Sequence, residues 1–206
     1  MPAPESSEIE AKFLAVDLPT LRKRALKHGG QVRSPRHLER NLRFETGDGR
    51  LQADHAVLRL REDDAVRLTY KRRLEDFEHR EEIECAVSDA GQAQRLLEAL
   101  GYEIFFIYEK YREVIAFGGC KLMLDDLPFG SFLEIEGENV EAIQACAASL
   151  KLAWEHRLGS SYLEIFSLLK DHFQLDAPHA TFEHFQKYRP ADRAAWRAWL
   201  GKREGG

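Results

Sequence analysis

Apolar and charged residues alternate along much of the chain, with the period of two expected of β-strands whose faces meet different surroundings. Ile9, Ala11 and Phe13 alternate with Glu8, Glu10 and Lys12. The pattern returns in 38–45, where Leu42 and Phe44 form the apolar face, and in 57–61 and 65–72, a predicted hairpin around Glu62-Asp63-Asp64. It continues through 79–87, 102–117, 120–125 and 131–136. Between these runs the period changes to that of helices. Residues 18–30 read as a helix closed by Gly29-Gly30, and Ser88–Leu100 as a second, with a Leu96, Leu97, Leu100 stripe expected to pack on the sheet. Asn139–Leu150 reads as a third helix, and Pro190 starts a short one at 191–200. Residues 1–7 read as a loose tail. Many alternating strands with few helices between them predict antiparallel β with peripheral helices, an α+β chain.

The polar faces are charged at positions i and i+2. Arg59/Arg61, Arg67/Lys71, Arg80/Glu82/Glu84, Lys110/Arg112, Lys121/Asp125 and Glu134/Glu136 repeat what Glu8, Glu10 and Lys12 begin. Carboxylates at that spacing leave one side of a strand together and suit a hard divalent cation. Basic pairs at the same spacing suit the oxygens of a phosphate chain. The apolar faces take the cover that the helices supply, so the charged faces turn toward one another or toward water. Ionised groups cannot fill a dry core, and a barrel closed around them would hold water and ions.

Composition narrows the class. The chain has 206 residues, 44% hydrophobic and 32% charged, which suits one globular domain with an appendage. A net charge of −5 gives no global reason to expect nucleic acid, while local basic clusters point to a small anion. No apolar run reaches the length of a membrane span, and no secretory signal is visible, so no membrane role is expected. Cys85, Cys120 and Cys146 lack metal-ligand spacing, which argues against zinc. Their number favours a reducing, cytoplasmic setting, with Cys85 and Cys120 on apolar strand faces. Arg22, Lys23, Arg24 and Lys27 read as a solvated helix face.

The ordered set Glu8-x-Glu10-x-Lys12, Leu58-Arg59-Leu60-Arg61, Leu68-Thr69-Tyr70-Lys71, Arg80-Glu81-Glu82-Ile83-Glu84, Glu109-Lys110-Tyr111-Arg112 and Leu124-Asp125 through Glu134-Ile135-Glu136 resembles the CYTH, or triphosphate tunnel metalloenzyme, superfamily. Class IV adenylate cyclases, thiamine triphosphatases and inorganic triphosphatases belong to it. The resemblance covers about 8–169 and includes Ser161-Tyr162, similar to the start of the helix that closes many such domains. It implies a closed antiparallel eight-stranded β-barrel, a tunnel with peripheral helices, over 1–169, followed by a helical C-terminal extension, 170–206, packed on the barrel.

By the same resemblance, Glu8, Glu10, Glu134 and Glu136, with Asp125, form the metal set for Mg²⁺ or Mn²⁺. Lys12, Arg59, Arg61, Lys71, Arg80, Lys110 and Arg112 bind substrate phosphates. Glu8, Glu10, Lys12 and Lys71 are the expected catalytic residues, and Glu82 and Glu84 either hold a second metal or orient the bases. The implied activity is metal-dependent turnover of a triphosphate compound (ATP, inorganic triphosphate or thiamine triphosphate), by hydrolysis or by cyclisation. One departure stands out: Asn41 and Arg43 occupy places where family members commonly carry Asp and Tyr. Two other classes of reading stay open from the sequence, a non-catalytic polyphosphate-binding module and a structural core of ion pairs. The oligomeric state is also open, a homodimer included.

Overall fold

A computed structural model describes residues 9–15, 17–73 and 80–204. Nine strands and six α-helices follow one another among them. The chain begins with β1 (Ile9–Leu14), α1 (Leu18–Lys27), β2 (Gln31–Thr46), α2 (Arg50–Ala53), β3 (Ala56–Glu62), β4 (Val66–Arg73) and β5 (Arg80–Val87). It continues with α3 (Ala90–Ala99), β6 (Tyr102–Phe117), β7 (Cys120–Leu127), β8 (Gly130–Gly137) and α4 (Val140–Ser149). The last elements are β9 (Arg157–Leu158), α5 (Tyr162–Phe173) and α6 (Pro190–Glu204).

The helices start where side chains satisfy their first amides. Asp17 accepts from Thr20 N at 3.0 Å, Asp89 from Gln92 N at 2.9 Å and Asn139 from Ala142 N at 2.8 Å. Ser161 and Glu164 form a reciprocal capping box that fixes the first turn of α5.

The strands form one antiparallel sheet in the order β5-β4-β3-β2-β6-β7-β8-β1-β9. The sheet has nine strands where eight are expected. A ninth strand, Arg157–Leu158, adds to the outer edge of β1, opposite Phe13 and Lys12, because 157–158 runs extended just before the capped start of α5. The end strands β5 and β9 do not pair with each other among the described residues, so hydrogen bonds do not close the sheet.

The chain divides into two compact units, 1–37 with 110–206 and 38–109, with the boundaries inside β2 and β6. Each has its own apolar core. In the first, Phe13, Ile115, Leu122, Leu133 and Ile135 pack against Leu21 and Ala25 of α1 and Ile143, Cys146 and Ala147 of α4. In the second, Leu42, Phe44, Leu58 and Leu60 pack against Leu51 of α2 and Leu97 of α3. In both, the core takes one face of the strands and leaves the charged positions on the other.

Some expectations fail at the surface. Cys120 is buried as expected, but Cys85 is exposed and its β5 neighbour Ile83 is 57% exposed. β5 ends the sheet, with a neighbouring strand on one side only. The α3 stripe is Ala90, Ala93 and Leu97, whereas Leu96 and Leu100 face outward at 63% and 67% exposure. Arg22, expected in a solvated face, grips buried Glu113 at 2.8 Å. Arg24 donates to the Leu150 carbonyl.

The extension packs within the first unit. Phe185, Trp196 and Leu200 are buried, and α6 lies against β1 and β8. Its aromatics continue a chain of ring contacts, from Trp196 to Phe185 at 5.6 Å, Phe129 at 6.4 Å, Phe132 at 5.9 Å and Tyr162 at 5.2 Å.

Candidate functional site

In the first unit the polar face of β1, β8, β7 and β6 gathers half of the site residues that the sequence singles out. Register accounts for this. Glu10 stands opposite Glu136 and Lys12 opposite Glu134; Lys121 faces Glu136, and Arg112 faces Asp125. The interleaved residues Ala11, Phe13, Ile115, Leu122, Leu124, Leu133 and Ile135 occupy the core face.

Asp125 is the centre of the cluster. It is 0% exposed and receives Lys110 Nζ at 3.1 Å, Arg112 Nε at 2.6 Å and the Tyr162 hydroxyl at 2.8 Å. Burial alone would raise its pKa, but the Arg112 and Lys110 charges hold the carboxyl well below its usual range. The Tyr162 phenol moves the other way: burial, then the Asp125 and Glu134 charges, push it well above the ordinary value, so it stays a donor. Arg112 also binds Glu134, and Lys12 lies 3.4 Å from Glu134. Lys12 donates to the Ser160 carbonyl at 3.2 Å and sits over the Tyr162 ring at 4.2 Å, with Lys110 at 5.3 Å from the same ring. Lys12, Lys110 and Arg112 thus outnumber Asp125 and Glu134 by one charge.

The acids divide by availability. Glu10 is exposed, and Glu136, its cross-strand partner, is held by Lys121 at 2.7 Å. Two carboxylates directly opposite on one face repel, and a divalent cation relieves that repulsion. Glu10, Glu134 and Glu136 share the polar face of β1 and β8, with Glu134 engaged by Arg112 and Lys12 and Glu136 by Lys121. Asp125, expected among the ligands, has both oxygens engaged, by Lys110, Arg112 and Tyr162. Glu8 lies outside the described residues.

The second unit carries the other basic residues on the polar face of β2 to β5. Arg59 and Arg61 of β3 stand opposite Arg43 and Asn41 of β2, and Lys71 of β4 stands opposite Glu82 of β5. Lys71 binds Glu82 at 2.8 Å, Arg61 binds Glu84 at 3.3 Å, and buried Thr69 donates to Glu84 at 2.9 Å. Arg67 turns to Asp63 of the β3–β4 turn at 2.9 Å. Arg80 begins β5 opposite Arg73.

Sequence reading gave no site role to Tyr162, Thr69 or Glu39. The Ser161-to-Glu164 capping box was a usable signal for Tyr162, since it places that residue first in a helix with its ring fixed. Glu39, 1% exposed, accepts from Asn41 Nδ2 at 3.0 Å and has no comparable signal.

The antiparallel sheet thus carries an apolar face and a face of interlocked acids and bases. The chain belongs to the CYTH domain family, whose model matches residues 6–163. Solved structures share the fold. A candidate adenylate cyclase of Vibrio parahaemolyticus is 23% identical with a TM-score of 0.69, over 78% of this chain and 97% of that one. A conserved protein of Pyrococcus furiosus is 25% identical with a TM-score of 0.64, over 77% and 99%. A candidate adenylyl cyclase of Hippeastrum, with a dominant triphosphatase activity, is 20% identical with a TM-score of 0.56, over 78% and 95%. A search of curated proteins returns no match. No helix among the described residues is long and apolar enough to cross a membrane.

Proposed function

We propose that the chain is a divalent-metal-dependent enzyme acting on a triphosphate compound, by hydrolysis or by cyclisation of ATP. The observation that carries this reading is the single polar face on which Glu10, Lys12, Lys110, Arg112, Glu134 and Glu136 lie together, backed by an apolar core. Such a face offers both of the things that phosphoryl transfer needs, charge neutralisation and positioning of the phosphate chain. The family resemblance further implies closure of the sheet into a tunnel, and closure belongs to the proposal.

In this reading Glu10, Glu134 and Glu136, with Glu8, hold Mg²⁺ or Mn²⁺. When bound, such an ion neutralises charge that develops on the phosphate oxygens. Lys12, Lys110 and Arg112, together with Arg59, Arg61, Lys71 and Arg80, bind those oxygens. Asp125 and Tyr162 act one step back and fix Lys110 and Arg112 for that task. In hydrolysis, a water oxygen forms the new bond to the terminal phosphorus, the bridging P–O bond breaks, and Glu10 and Lys12 position the reacting groups. In cyclisation, the ribose 3′-hydroxyl attacks the α-phosphorus and pyrophosphate leaves.

The test uses the pure protein with ATP, inorganic triphosphate and thiamine triphosphate, plus Mg²⁺ or Mn²⁺, resolving phosphate, pyrophosphate and cyclic AMP. Phosphate as the product identifies a hydrolase; cyclic AMP with pyrophosphate identifies a cyclase. Glu10→Ala is expected to reduce metal-dependent turnover at least about tenfold, the minimum for groups that hold a metal. Triphosphate bound without any product identifies a binding module. No product from any substrate, with Glu10→Ala binding triphosphate as well as the wild type, removes the enzyme reading.

A further inference from the structure

The polar face of the second unit holds an arginine, Arg43, that forms no close ion pair among the described residues. Arg43 on β2 stands directly opposite Arg59 on β3, with both side chains on the face away from Leu42, Phe44, Leu58 and Leu60. Like charges in directly opposed positions destabilise a sheet unless something lies between them. Arg43 is partly buried, and its Nε is enclosed without an acceptor among the described residues.

The groups facing Arg43 are Phe105, whose ring centre is 5.5 Å from the guanidinium, Tyr108, Arg59 and Glu45. Glu45 is the one acid in that set, and its oxygens are used elsewhere. They accept from the backbone N–H groups of Thr46, Leu51 and Gln52, each at 2.8 Å, and so secure the loop into α2. Burial accordingly holds the Arg43 guanidinium below its usual pKa.

Next to it, Asn41 is 0% exposed. Its Nδ2 donates to Glu39 at 3.0 Å, while its Oδ1 has no partner among the described residues. Two adjacent β2 side chains on one face thus bury polar atoms that the protein leaves unsatisfied. Native interiors rarely tolerate this without a bound water, ion or ligand. Here the enclosed charge is positive, a fork of donors, and it sits against a second guanidinium. That arrangement selects an oxyanion.

We infer that Arg43 contacts a phosphate group of the bound substrate, so that the ligand supplies the acceptor that Arg43 Nε lacks among the described residues. This rests on the reading of the chain as a triphosphate-binding protein. It adds a residue to the phosphate-binding set and assigns it a specificity role. A ligand that brings phosphate oxygens to both guanidiniums is favoured over one that offers a neutral group there.

The two states of the protein give the test its sign. Without ligand, Arg43 is a partly buried cation with no close ion pair among the described residues, and replacing it relieves the fold. With ligand, the same replacement removes charge-assisted hydrogen bonds. Arg43→Gln and Arg43→Lys in the full chain are compared with wild type by thermal denaturation without ligand, and by calorimetric titration with inorganic triphosphate and Mg²⁺ at several salt concentrations. Arg43→Gln is expected to melt at or above the wild-type temperature when ligand-free. It is expected to bind inorganic triphosphate roughly tenfold to a hundredfold more weakly, with a shallower salt dependence. Arg43→Lys, which keeps the charge but not the fork, falls between the two.

An Arg43→Gln protein that is less stable without ligand, or fails to fold, shows a structural arginine and overturns the inference. So does one that binds triphosphate as tightly as wild type; in that case the proposed function stands. If wild-type protein itself binds no triphosphate, the proposed function falls and takes this inference with it.

Discussion

Neutralising Asp125 is the sharpest test of how the charged face is held together. Asp125→Asn keeps the side-chain shape, so no cavity opens and the change is almost purely one of charge and donors. In the folded protein this carboxylate is 0% exposed and takes Lys110 at 3.1 Å, Arg112 Nε at 2.6 Å and Tyr162 at 2.8 Å. The variant takes a negative charge away from Lys110 and Arg112, and turns an amide N–H₂ toward groups that can only donate. Removing one member of a buried ion pair costs about 3–5 kcal/mol, because the remaining charge stays desolvated. At about 2–4 °C per kcal/mol for a chain of this size, the melting temperature falls by roughly 6–20 °C.

Urea denaturation followed by tryptophan fluorescence reads the effect where it arises, since Trp154, Trp196 and Trp199 all belong to the unit that holds Asp125. Tyr162→Phe is expected to cost less, about 1.5–3 kcal/mol for one hydrogen bond to a charged acceptor. The double variant should cost less than the sum, because the tyrosine hydroxyl and Asp125 satisfy each other. An Asp125→Asn protein within about 1 kcal/mol of wild type would refute the account of Asp125 as the anchor of Lys110 and Arg112.

Two further outcomes follow from the same structure. Because the folded carboxyl of Asp125 titrates below its unfolded value, its contribution to stability is fully present above the ordinary carboxyl pKa of 3.8 and is lost as pH falls below it. The acid limb of a stability-against-pH curve should therefore be shallower in Asp125→Asn than in wild type, and equal slopes would exclude the assignment. Trp196→Ala, which truncates a side chain 2% exposed, should cost about 3–5 kcal/mol in urea denaturation; a cost under about 1 kcal/mol would mean that the extension is not part of the core of its unit.

The helix and strand elements were largely legible in advance, and for a local reason. Alternation of period two assigns each strand residue to a face without reference to any other strand, so Glu10, Lys12, Glu134 and Glu136 could be placed together before their register was known. The surface misreadings had the opposite origin. Cys85 and Ile83 alternate like core residues, but their strand ends the sheet; Leu96 and Leu100 look like a stripe, but Ala90, Ala93 and Leu97 supply the packing. Period alone cannot say which of two apolar faces receives cover.

By itself, then, the sequence determined which side chains share a face, where helices begin, and that acids and bases alternate with apolar residues along the strands. Only the tertiary structure decided which of those charges are already spent. Asp125 is consumed by Lys110, Arg112 and a tyrosine 37 residues away, Lys12 reaches a carbonyl 148 residues away, and Arg43 faces another arginine with no acceptor for its Nε among the described residues. Ion pairing depends on distance and burial, which register and packing fix, and no local pattern encodes either.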